Sequence, residues 1–247
     1  MKNELLGFAR QILPTYARRK IFQLTRWPPV GLVNFGSFGR LRPISSTWGM
    51  ERGKPIDRYY IESFLAIYSS DIFGHVLEIG DNTYTLRFGG EKVTKSDVLH
   101  VAERKPNVTI IGKLESADGI PSDHFDCILL TQTLQFIFDV PAVVRTVYRI
   151  LKPNGIVFVT VPGICQISRY DMDRWGDYWR FTTKSMQRLF EECFPKENIQ
   201  VHAFGNVLPS IAFLQGLAAC ELSRKELDYT DPNYELLITV RARKPGS

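Results

Sequence analysis

Residues 163–182 read GICQISRYDMDRWGDYWRFT. Tyr170 to Arg180 alone holds three acids (Asp171, Asp173, Asp177), two arginines (Arg174, Arg180) and four aromatic residues (Tyr170, Trp175, Tyr178, Trp179). Flat apolar rings beside paired polar groups suit a sugar, whose faces stack and whose hydroxyls need directional partners. An alcohol is a poor nucleophile at neutral pH and needs a general base in hydrogen-bond reach. Asp171 and Asp173 are the first candidates for that base, with Tyr170 in reserve. Arg174 is a candidate for holding an acceptor oxygen or phosphate, and Trp175 and Asp177 are further candidate acceptor contacts. The competing reading of Asp177 is an internal ion pair with Arg180.

A second group of residues clusters at Glu78-Ile79-Gly80-Asp81. A glycine closing an apolar run lets a ligand come close to the backbone. Asp97 follows seventeen positions later, a spacing at which an acid can accept hydrogen bonds from a ribose diol.

The elements that must position these groups follow from hydrophobic periodicity. Short apolar runs at 75–80, 92–101, 108–111, 126–131 and 156–161 read as strands, with helical spacing at 56–69, 140–151 and 183–193. Two later strands, 199–204 and 235–242, flank an apolar helix over 207–222. Alternation of this kind predicts an α/β fold: a doubly wound, mostly parallel, seven-stranded Rossmann-like sheet. Ahead of it lies an N-terminal helical and loop extension, helical over 1–25 and rich in glycine and proline over 27–50. The expected division is a basic extension and lid over 1–60 and a body over 61–247.

Charge supports that division. The chain of 247 residues has a net charge of +5. Eleven basic residues and three acids fall within 1–60, leaving that segment at +8 and the body at −3. A mildly acidic body argues against a nucleic-acid partner. Four scattered cysteines without a CxxC pair exclude a zinc ribbon and fit a reducing, cytoplasmic setting. The four histidines show no ligand spacing, so no metal is expected. No stretch reaches the ~18 apolar residues of a membrane span. Residues 1–26 mix basic and apolar positions. They fit a helix on a membrane surface, a docked helix, or one pairing with a second copy in a homodimer.

The series VLEIG, an acid in the second strand, FDCILLTQTLQFI and RILKPNGIVFVTVPG resembles class I S-adenosylmethionine-dependent methyltransferases over about residues 75–195. The stretch DYWRFTTKSMQRLF (177–190) is similar to a segment of their small-molecule branch, type 11-like, which often modifies sugars. The resemblance implies S-adenosyl-L-methionine as cofactor. It implies that Glu78, Gly80 and Asp81 line its methionine end, that Asp97 holds the ribose, and that Leu114 and Glu115 lie near the adenine. Thr131 and Gln132 flank the transferable methyl. The segment before the first strand commonly forms a lid in such enzymes, so Arg52, Asp57, Arg58 and Tyr59 are cofactor or acceptor contacts, or an Arg–Asp anchor. The expected activity is methyl transfer to a hydroxyl of a sugar or glycoconjugate precursor. The alternatives are another small-molecule acceptor, at O or N, and a degenerate cofactor-binding partner in a biosynthetic complex. The last draws on the first motif, where Asp81, Asn82, Thr83 and Tyr84 stand where the family has further glycines.

Overall fold

The computed structural model describes residues 14–17, 20, 23, 27–101 and 106–246. Most of residues 1–26, on which the surface-helix and dimer expectations rest, lie outside them. The chain divides into two compact units, Met1–Pro43 and Ile44–Ser247. Residues 44–60, which charge groups with the extension, are packed into the second unit. The Ile44 and Ser45 N–H groups donate to the Gln215 carbonyl, and Ala219 N–H donates to Lys54 O. Arg52 pairs with Glu221.

The second unit opens with helix α1 (Ile56–Ile67) and strand β1 (Gly74–Ile79). Strands β2 (Val93–His100), β3 (Ile110–Ile111) and β4 (Phe125–Thr131) follow, then α2 (Val140–Ile150), β5 (Leu151–Pro162) and the single turn α3 (Arg169–Met172). The chain continues through α4 (Thr183–Glu191), β6 (Ile199–Phe204), α5 (Val207–Leu214), α6 (Arg224–Asp228) and β7 (Leu237–Arg243). The sheet order is β3-β2-β1-β4-β5-β7-β6. β1 to β5 run parallel, and β7 is antiparallel to both neighbours. This is the seven-stranded, mostly parallel sheet expected from the sequence.

Side-chain alternation distributes the sheet between two cores. Ile128, Leu130, Val157 and Val159 join Val143, Val147 and Phe190 of α2 and α4 on one face. Cys127, Leu129, Ile156 and Phe158 join Ile61, Phe64 and Phe213 of α1 and α5 on the other. Because both faces are covered, the central strands read as unbroken apolar runs.

Local chemistry sets the ends. Asp139 caps α2 by accepting the Ala142 N–H, with Pro141 in the first turn. Thr182 and Ser185 form a reciprocal capping box on α4. The helix expected over 207–222 stops at Leu214, because Gly216 turns the chain at φ +71. A Cβ there would lie 2.2 Å from the Ser45 carbonyl oxygen, so the close approach of residues 44–50 also requires glycine. No helix among the described residues is long and apolar enough to cross a membrane.

Candidate active site

Strand order reverses between β1 and β4, and ligands of open α/β sheets bind beyond the carboxyl ends of the strands at such a point. Two cavities lie there. The larger, about 600 Å³, is lined by Gly80, His100, Leu114, Glu115, Trp175 and Tyr178, among others. The smaller, about 210 Å³, is lined by Trp48, Asp57, Arg58, Gln135, Ser168 and Asp177, among others. Thr131, Gln132, Phe136 and Asp171 line both. The two chambers therefore meet over the end of β4.

Gly80 ends β1 at φ +87, and its N–H donates to Leu99 O at 3.0 Å. Nothing lies within 4 Å of where a Cβ would project. This glycine is required by its backbone conformation, and the space above it is open. Leu114 and Glu115 take their expected place in the larger cavity. Thr146 and Arg149 of α2 pin that loop by donating to the carbonyls of Glu115, Ser116, Ala117 and Ile120.

Gln132 sits at φ +48, a left-handed conformation uncommon outside glycine. Its N–H donates to Thr160 O, and its side-chain oxygen accepts from Gln135 Nε2 at 3.0 Å. Gln135 is 4% exposed, and its Oε1 has no partner among the described residues. A buried amide oxygen without a partner costs about 1–3 kcal/mol. Such a group at a cavity wall is a ready acceptor for a ligand's donor.

The loop after β5 is built by its own side chains. Ser168 caps α3 by accepting the Asp171 N–H, and its hydroxyl contacts the Asp171 carboxylate. Asp177 accepts from Ser168 N–H and from Arg180. The Asp177–Arg180 pair is thus real, and both partners line the smaller cavity. Tyr178 N–H donates to Gln135 O, and Trp179 Nε1 donates to Ile137 O, fastening this loop to the segment after β4.

Several expected site residues lie elsewhere. Asp97 does not face either cavity. It sits three residues before the end of β2, paired with His75 Nε2 at 2.6 Å and Lys95 Nζ at 3.0 Å. Burial alone would raise its carboxyl pKa, but the hydrogen bonds from His75 and Lys95 hold it below the usual value. Glu78 is 2% exposed and lies beneath the site. It accepts from Thr85 N–H, Thr85 Oγ1 and Tyr84 N–H, and burial pushes its pKa up to about 7. Asp81 is exposed and accepts from Thr83 N–H. Neither lines either of these two cavities. Asp173 points to solvent and pairs with Arg169, and Tyr170 is exposed under the Arg174 guanidinium. Tyr59 donates to Asp228 at 2.6 Å and anchors α1 to α6. Of the three candidate bases, only Asp171 reaches the site. Arg58, Arg174, Trp175 and Asp177 do line it.

Trp48 and Ser168 carry no signal in residue type, whereas His100, like His124, lies just beside a strand from which it could reach the site. For His100 a signal existed: it stands twenty positions after Gly80, where dinucleotide folds place the ribose contact. In the structure it lines the larger cavity, its ring edge-on to Trp175 at 6.1 Å. His75, Asp97 and His124 form a three-donor cluster, with ligand atoms within 4.8 Å of one another. It joins the start of β1, the middle of β2 and the residue before β4, positions whose spacing in the sequence gives no ligand pattern.

A family model described as a methyltransferase domain matches residues 56–199. The chain belongs to that family. It is a methyltransferase by membership, and the cofactor expected from its motif series, S-adenosylmethionine, stands with it. No match emerges among functionally curated proteins. Solved structures share the fold at low identity. A SAM-dependent methyltransferase from Archaeoglobus fulgidus is 13% identical, with 76% of this chain and 94% of that chain covered and a TM-score of 0.51. One from Thermotoga maritima is 21% identical, covering 79% and 94%, also at 0.51. Phosphoethanolamine N-methyltransferase 2 of Haemonchus contortus, in complex with S-adenosyl-L-methionine, is 15% identical, covering 88% and 61%, at 0.50. In the methyltransferase, the larger chamber has open space above Gly80 and an apolar wall at Leu114, a lining that fits a nucleoside cofactor.

Proposed function

We propose that this methyltransferase delivers a methyl group from S-adenosylmethionine to a hydroxyl of a sugar or glycoconjugate precursor. The observation that carries the reading is the junction of two chambers over Thr131, Gln132 and Asp171. The larger chamber takes the nucleoside, with Leu114 and Glu115 at the adenine and His100, in place of Asp97, at the ribose. The bound cofactor supplies an activated sulfonium methyl. The protein's part is then mainly alignment of the acceptor for in-line displacement.

Asp171 is the carboxylate at the junction, and we assign it the proton of the acceptor hydroxyl. Ser168 holds its side chain in place. Gln135 Oε1 accepts from a second acceptor hydroxyl, which offsets the cost of its burial. Gln166, Ser168 and Asp177 offer further polar contacts, and Trp48 a flat face. Together these favour a small polyol over an apolar molecule. Asp173 and Tyr170, which face solvent, leave the assignment. An amine acceptor is the second reading, favoured by the same carboxylate. The four free cysteines suit a cytoplasmic location.

The test is transfer of a tritiated methyl group to a panel of hexoses, methyl glycosides, sugar nucleotides and simple amines, by wild type and Asp171→Asn. General-base loss typically costs 10²- to 10⁴-fold. The expected result is transfer to a hydroxyl, a loss of that order in the variant, and unchanged affinity for S-adenosylhomocysteine. Full turnover by the variant places the base elsewhere, and methylation of amines alone replaces the sugar reading.

A further inference from the structure

The amino-acid end of the cofactor is a zwitterion and needs an anion for its ammonium and a cation or N–H donors for its carboxylate. Four successive backbone donors of the loop after β1 are already taken. The Thr83 N–H is held by Asp81, those of Tyr84 and Thr85 by Glu78, and that of Leu86 by the Asn82 carbonyl. Glu78, buried beneath this loop, has thus claimed two of its amides before any ligand arrives.

The neighbouring helix carries what the loop lacks. Asp57 and Arg58 sit side by side in the first turn of α1, and both line the smaller cavity. Of the Asp57 carboxylate, Oδ1 accepts the Arg58 N–H at 2.8 Å. The carboxylate takes no side-chain donor in the bonds that the structure shows, and it lines the cavity. Arg58 spends one of its five donors on Tyr84 OH at 2.8 Å. That bond places the guanidinium between the cavity and the loop that follows Gly80. Burial raises the Asp57 carboxyl pKa, with Arg58 opposing. A buried acid in that condition gains from an ammonium partner.

We propose that Asp57 and Arg58 together hold the α-ammonium and α-carboxylate of the cofactor's amino-acid end, in place of the glycine-rich backbone this chain lacks. Strand order supports the direction. From a sulfur over Thr131 and Gln132, the β1 side of the smaller chamber leads to Asp57 and Arg58, and the β5 side leads to Ser168, Asp171 and Asp177. The amino-acid end and the acceptor thus take opposite walls of one chamber. The proposal rests on the assignment of the larger cavity to the nucleoside.

The test is calorimetric and needs no acceptor. Wild type, Asp57→Asn and Arg58→Gln are titrated with S-adenosylhomocysteine and with 5′-methylthioadenosine, which keeps the nucleoside thioether and lacks the amino acid. Circular dichroism confirms that each variant is folded. The expected result is a loss of at least tenfold in S-adenosylhomocysteine affinity for each variant, with 5′-methylthioadenosine affinity within twofold of wild type. Either folded variant binding S-adenosylhomocysteine as wild type does overturns the pairing, as does equal weakening of both ligands. Should one variant fail to fold, the other decides. Wild type binding neither ligand removes the nucleoside assignment as well, an outcome distinct from wild type binding both and the variants showing no discrimination.

Discussion

The two ends of the parallel sheet treat their polar groups in opposite ways. From mid-strand to the amino ends, Asp97 is held by His75 and Lys95, Asp126 by Lys152 and the His75 N–H, and Asp123 by Lys244. At the carboxyl ends, Gln135 Oε1 is buried without a partner among the described residues, Gln132 adopts a left-handed backbone, and burial raises the pKa of the Asp57 carboxyl at the cavity. Satisfied charges at one end contribute stability. Unsatisfied groups at the other lower it and are left for a ligand, which is where strain and unmet hydrogen bonds tend to gather.

Asp97→Asn attacks the satisfied cluster and has the largest expected effect on stability. Removing the charge from a buried pair should cost about 1–3 kcal/mol by urea unfolding, with S-adenosylhomocysteine affinity unchanged. A fall in affinity without a fall in stability would return Asp97 to the binding site. The wild-type contribution has a definite pH dependence. The folded-state pKa is lowered, so the stability is present above the unfolded value of about 4 and is lost as pH falls through the lowered one.

Glu78 tests the boundary between the two regimes, being buried under the site yet fully engaged. Its folded pKa of about 7 is raised, so its contribution is fully present below the unfolded value of about 4.3 and declines as pH rises towards 7. The limit for one group is about 1.4 kcal/mol per pH unit. Glu78→Gln should flatten this part of the stability–pH curve, and an unchanged slope would assign it to another group.

Gln135→Met reaches the carboxyl end and should move stability the other way. Removing a buried acceptor without a partner should raise stability by about 1 kcal/mol, less the lost bond to Gln132, while methyl transfer falls. Lower stability with intact transfer would mean that the amide serves the fold.

The sheet and its order of elements were legible in the sequence because apolar period and breakers are local signals. The apolar runs that become β1, β4 and β5 could hardly be anything but central strands. The site was legible only in part. Gly80 stands out as a glycine closing an apolar run and Asp171 by its loop, while Leu114, Glu115, Thr131 and Gln132 come only from the family resemblance; all six line the cavities. Asp97 and Asp173 line neither cavity, because residue type and spacing do not report which way a side chain faces, or whether a lysine or arginine has already claimed it.

The sequence by itself determined the α/β class, the order of strands and the placement of chemistry after β1, β4 and β5. Backbone periodicity and turn chemistry act over a few residues and leave their mark in the string. Tertiary structure alone decided that Asp57 and Arg58 of α1 face Thr131 of β4 and Asp177 of the loop after β5 across one cavity. It also decided that Glu78 spends itself on the loop above it. Those choices depend on which groups meet once the chain has closed on itself, and the competition among carboxylates for a few donors is settled only there.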